Sequence, residues 1–130
     1  YFGAPFIQHG PYDMLPVKEG VLMRPCSFRP SAGLYRDQVC YGYQIMLKPG
    51  AQYHSLLHTL QLIRYFAERY PQFGMSDGFR LKLADETLES YLRGEISFQD
   101  AREHVKVEEQ KWIRKAKRFT LYDDAPYRIK

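Results

Sequence analysis

Apolar and polar positions between Val21 and Lys48 alternate with the two-residue period of a β-strand. Two such runs, Val21 to Phe28 and Val39 to Lys48, are separated by the turn formers Pro30, Ser31, Gly33 and Asp37. In the second run Val39, Tyr41, Tyr43, Ile45 and Leu47 take one face, and Cys40, Gly42, Gln44 and Met46 the other. The first face is large and apolar, the second small and partly polar. Such a sheet packs a helix on its large face and leaves the small one for a polar ligand or a second domain. Pro25 lacks a ladder donor, so the first run belongs at a sheet edge or carries a bulge there.

After Pro49-Gly50 the period changes. Leu56, Leu60, Ile63, Ala67 and Tyr70 follow helical spacing within Ala51 to Tyr70, and Pro71 stops the helix. Phe79, Leu81 and Leu83 alternate over a stretch that fits a third strand. Asp85 caps a short helix over Glu86 to Arg93 that ends at Gly94. Ser97, with Asp100 three residues on, opens a last helix with an apolar stripe of Phe98, Ala101, Val105, Trp112, Ala116 and Phe119. Leu121-Tyr122 in the tail can add an edge strand. Residues 1–19, broken by Gly3, Pro5, Gly10, Pro11 and Pro16, read as a connector with regular structure limited to a turn or two. The expected class is α+β: one domain over 1–130, with a small, mostly antiparallel sheet packed by a long helix, a short helix and a C-terminal basic helix.

Composition adds limits. With 26% charged, 45% hydrophobic and 15% aromatic residues the chain has a globular make-up, and 130 residues suffice for one core. Eleven tyrosines favour half-buried surfaces, although most such rings simply fill a core. Residues 102–118 hold seven basic and three acidic side chains, a surplus of four that equals the net charge of the whole chain. Basic character confined to one helix argues against nucleic acid as a partner and fits a solvated, dipole-complementing face. No stretch approaches the roughly 20 apolar residues of a membrane span, and no signal peptide is present. The chain opens at Tyr1 without an initiator Met, as part of a processed or larger protein would.

Candidate chemistry is sparse. Cys26 and Cys40 have no zinc-site spacing and are either a cross-strand disulfide of an exported protein or free buried thiols. His54 and His58 lie four apart but lack a third ligand, so they read as polar-face histidines and no metal or cofactor is expected. The carboxylates fall at helix starts and on polar faces, with no pair set for acid–base catalysis, and the nucleophile and phosphate-loop motifs are missing. No catalytic residue is assigned.

The run GVLMRPCSFRPSAGLYRDQVCYGYQIML, preceded by GAPFI at Gly3 to Ile7 and followed by a long helix and a basic helix ending in TLYD, resembles the C-terminal half of the bacterial exo-β-N-acetylmuramidases. The likeness rests on Met23 to Pro30, Tyr35, Cys40, Gly42 and Gln44, and covers nearly the whole chain. Cys26 and Leu83-Ala84-Asp85 depart from the usual pattern. The resemblance implies a two-part glycosidase that releases N-acetylmuramic acid from peptidoglycan fragments. A Rossmann-like N-terminal domain would carry the catalytic glutamate and this chain would close the cleft, outside the cytoplasm. On that view Arg29 would bind the lactyl carboxylate of a muramic-acid saccharide, Tyr35, Tyr41 or Tyr43 would stack on sugar faces, and Gln44 would bond hydroxyls. Tyr41 and Tyr43 lie opposite Gln44, so if Gln44 meets ligand those tyrosines are core. The alternative is a non-enzymatic cell-wall-binding or protein-interaction module that uses the basic helix.

Overall fold

A computed structural model describes residues 1–8, 15, 16 and 18–120. They fall into two compact units, Tyr1–Gly74 and Met75–Lys130. The expected tail strand lies outside the described residues.

The first unit holds strands β1 (Phe2–Ala4), β2 (Val21–Phe28) and β3 (Cys40–Leu47) and helix α1 (Ser55–Arg69). The sheet is antiparallel in the order β1-β3-β2, so Pro25 sits on an edge strand, where its missing donor costs no ladder bond. Pairing of Met23 with Ile45 and of Pro25 with Tyr43 sets the face that meets α1. Met23 and Tyr43 are each 1% exposed and form the core with Val21, Leu62 and Phe66. Tyr41, on the same side of β3, remains 43% exposed.

β1 corrects the reading of the first residues as a connector without a strand. Three residues are too few to show a period, and what makes them a strand is the pairing of Phe2, Gly3 and Ala4 with Tyr43, Gly42 and Tyr41. That pairing depends on glycine. A Cβ at Gly42 would meet the Phe2 carbonyl oxygen and the Gly3 Cα, and one at Gly3 would meet the Tyr41 carbonyl. Phe2 then sets its ring edge-on to Phe66, 5.6 Å between centroids. The Tyr70 hydroxyl accepts from the Gln8 backbone N–H and donates to the Gln8 carbonyl, 3.1 Å each, fixing the segment after β1 to the end of α1.

α1 starts at Ser55, four residues after the expected position, because His54 takes the N-cap and its Nδ1 accepts from the Leu57 N–H. His58 is not on a polar face as expected: it is 1% exposed. Its Nε2 lies 2.7 Å from the Pro16 carbonyl and its Nδ1 3.0 Å from the Tyr53 hydroxyl, so the neutral ring donates to one and accepts from the other.

The second unit contains α2 (Asp77–Leu83), α3 (Glu86–Leu92) and α4 (Phe98–Ala116). α2 replaces the expected third strand. The Ser76 side chain caps it by accepting from the Phe79 N–H, and Phe79 and Leu83 then share a half-buried side while Leu81 is 79% exposed. Alternation over five residues did not outweigh that cap. Asp85 caps α3, and Ser97 with Asp100 makes the reciprocal capping box of α4, both as expected. Leu88, Tyr91, Leu92, Ala101 and Val105 are buried. The expected α4 stripe is buried only in its first half, since Trp112 is 65% and Phe119 73% exposed.

Candidate functional site

The face of the sheet turned away from α1 is built from Leu22, Arg24, Cys26 and Phe28 on β2, paired with Met46, Gln44, Gly42 and Cys40 on β3. One end of it is covered by the domain itself. The Phe28 ring lies over Gly3, Tyr1 packs on Phe28 with centroids 4.6 Å apart, and Cys40 is fully buried. The other end is open. Leu22 is 49% exposed, Arg24 is exposed, and Gln44 and Met46 are half-buried. In the centre of this open part the Arg24 Nη2 donates to Gln44 Oε1 at 2.6 Å. Both cysteines lie on this face without a disulfide between them, Cys26 across from Gly42 and Cys40 across from Phe28.

The same unit has a concavity elsewhere, a cleft of about 680 Å³ between β1, the loop before β3 and α1. Phe2, Phe6, Tyr35, Ile63, Phe66 and Phe73 supply most of its walls, and Thr59 and Gln72 its polar side chains. Tyr35 is held there edge-on to Phe6, 6.4 Å between centroids.

The residues singled out from the sequence therefore do not share one surface. Gln44 is on the open sheet face, Tyr35 is in the aromatic cleft, Tyr43 is enclosed in the core beside Phe2, and Arg29 is exposed just past β2. Of the two tyrosines on the face opposite Gln44, Tyr43 fills the core and Tyr41 is 43% exposed. Arg24 escaped the sequence reading. Only the register, which sets it directly across from Gln44, reveals it.

Several of the described acids have structural roles. Asp85 caps α3 through the Leu88 N–H and receives His104 Nε2 at 2.7 Å. Partial burial works against its charge, but the bonds from His104 and Leu88 prevail and hold the carboxyl below its ordinary value. Asp100 is lowered by the Ser97 hydroxyl and N–H, and Glu95 by Arg93 and Ser90. Glu68, Glu103 and Glu108 pair with Arg64, Lys106 and Lys111 on helix surfaces. Among the described residues no three His, Cys, Asp or Glu side chains gather as a metal site, and no helix is long and apolar enough to cross a membrane.

A three-stranded antiparallel sheet with one face under a helix, together with a second unit of three capped helices, makes a small α+β chain. Among the described residues, Asp85, Asp100, Glu95, Glu68, Glu103 and Glu108 are engaged in caps and ion pairs, and an open polar surface lies on the sheet. A family model described as exo-β-N-acetylmuramidase NamZ, C-terminal, matches residues 1–122. The chain belongs to that family, and so to the domains of a peptidoglycan-processing glycosidase. Neither a search of curated proteins nor one of solved structures returned a match.

Proposed function

We propose that this chain is the substrate-contacting, cleft-closing domain of an exo-N-acetylmuramidase and does not catalyse on its own. A Rossmann-like N-terminal domain of the same enzyme supplies the catalytic acid. The ligand is a muramic-acid saccharide derived from peptidoglycan, met outside the cytoplasm. The observation that carries this reading is the family match over 1–122. It is supported by a sheet face that stays open beside Gln44 and by carboxylates engaged in caps and ion pairs. A glycosidase needs two carboxyl groups across a scissile bond, and capping or paired acids on helix surfaces are poorly placed for that work. Gln44 bonds ligand oxygens, while Tyr35 offers a ring in the neighbouring cleft for stacking. Arg29 remains a peripheral contact.

The test is release of N-acetylmuramic acid from a β-1,4-linked N-acetylmuramyl-N-acetylglucosamine disaccharide, by the full-length enzyme and by the 130-residue chain. Release by the former and none by the latter is expected. Release by the isolated chain would contradict the division of labour.

A second reading draws on α4, where exposed Trp112 and Ile113 lie among Lys111, Arg114 and Lys115. An apolar ring amid cations suits anionic wall polymers. Sedimentation with cell walls that is lost after removal of their anionic polymers would favour it.

A further inference from the structure

We infer that Arg24, positioned by Gln44, is the group that reads the carboxylate of the ligand; the inference rests on the muramidase reading and names the part of the substrate this face recognises.

Three observations converge on Arg24. It is directly opposite Gln44 in the β2/β3 ladder, on the side away from the buried Met23 and Tyr43. A strand in a paired ladder fixes the direction of its side chains far better than a loop does. The Arg24–Gln44 bond then fixes the guanidinium further, using one of its five N–H donors and leaving the rest. Finally, no carboxylate among the described residues pairs with Arg24, so its charge is left for a ligand; Arg29 shares that property but not the fixed place in the ladder.

The polarity of the pair is informative. Because Gln44 Oε1 accepts from Arg24, the amide NH₂ and the remaining guanidinium N–H groups are left over, and the pair presents mainly donors, with one lone pair remaining on Oε1. A surface of donors around a fixed cation suits an oxyanion and rejects a cation. A carboxylate matches the planar fork with two parallel hydrogen bonds. Leu22 and Met46 border the pair in the ladder. At the next pair along, Cys26 and Gly42, the surface is closed, because Gly42 is buried against the Phe2 carbonyl and the Gly3 Cα. In a muramic-acid saccharide the one carboxylate on the sugar is that of the lactyl ether, and it distinguishes this sugar from N-acetylglucosamine. Arg29, to which the sequence gives this role, lies past the end of β2, exposed and without a side-chain partner among the described residues. The strand-mounted arginine is the better receptor.

The experiment uses the full-length enzyme and two substrates, the N-acetylmuramyl disaccharide and the same compound with its lactyl carboxylate as the methyl ester. The wild type should prefer the acid by about ten- to a hundredfold in kcat/KM, the range of a charge-assisted bidentate contact. Arg24→Ala should lose that factor on the acid, change little on the ester, and so abolish the preference. Arg24→Lys should restore part of it as a point charge. Thermal melting of each variant shows that the fold is kept. Equal losses on acid and ester, or no loss on either, would overturn the role of Arg24 while the muramidase reading stands. Failure of the wild type to cleave either substrate would overturn both.

Discussion

The two units of the chain are held by different kinds of interaction. In Tyr1–Gly74 the decisive contacts are distant in sequence: Phe2 on Phe66, Gln8 on Tyr70, Pro16 on His58, Arg24 on Gln44. In the described part of Met75–Lys130 they are mostly local: the Asp85 cap, the Ser97–Asp100 box, and Arg93 with Glu89, Ser90 and Glu95. The difference shows where function can be placed. Local contacts complete helices and leave few polar groups over. A sheet sandwiched on one side only must present its other face to something, and here that face carries an arginine with donors to spare.

The sharpest test of the contrast is Phe66→Ala. Phe66 is 4% exposed and meets the rings of Phe2, Tyr65 and Tyr70, so truncation should cost about 3–5 kcal/mol in denaturant unfolding. Next is Gly42→Ala, whose methyl group would drive β1 away from β3. A loss of about 1–3 kcal/mol is expected, with faster exchange of the Phe2–Ala4 amides. Normal amide protection there would mean that β1 has room the geometry denies.

Acid should act on the two units in turn. Burial lowers the His58 pKa, and nearby Lys18 adds to this against the opposing Pro16 carbonyl. A histidine lowered in the fold contributes stability that is fully present above its unfolded value of about 6.5 and is lost as pH falls through the folded one. Asp85, lowered from 3.8, contributes stability that is present above its unfolded value and lost only as pH falls below it. Unfolding free energies measured from pH 8 to pH 3 should therefore decline in two windows. His58→Gln should flatten the upper one, and Asp85→Asn the lower. The smallest effect belongs to Trp112→Ser, which at 65% exposure should change stability by less than about 0.5 kcal/mol.

What the sequence revealed follows the same division. Asp85 and Ser97 announce their helices because a cap and its N–H partner lie within three residues. The two main strands were legible from alternation, and so was the face on which Gln44 lies. β1 was hidden because three residues carry no period, and α2 because a brief alternation imitates a strand. His58 read as a surface residue because its partners are Tyr53, on an irregular segment, and Pro16, 42 residues away. Arg24 was invisible as a site residue for a related reason. The hairpin register that sets it beside Gln44 is fixed across the loop of residues 29–39, too long for its turn formers to dictate the pairing.

The central claim is that the open sheet face meets the substrate through Gln44, and Gln44→Leu in the full-length enzyme tests it most directly. Leucine keeps the volume and removes every hydrogen bond of the amide, including the one that orients Arg24. The account predicts that kcat/KM on the N-acetylmuramyl disaccharide falls by about ten- to a hundredfold while the melting temperature is unchanged. A large fall in melting temperature, with activity per folded molecule intact, would make Gln44 part of the scaffold and contradict the account.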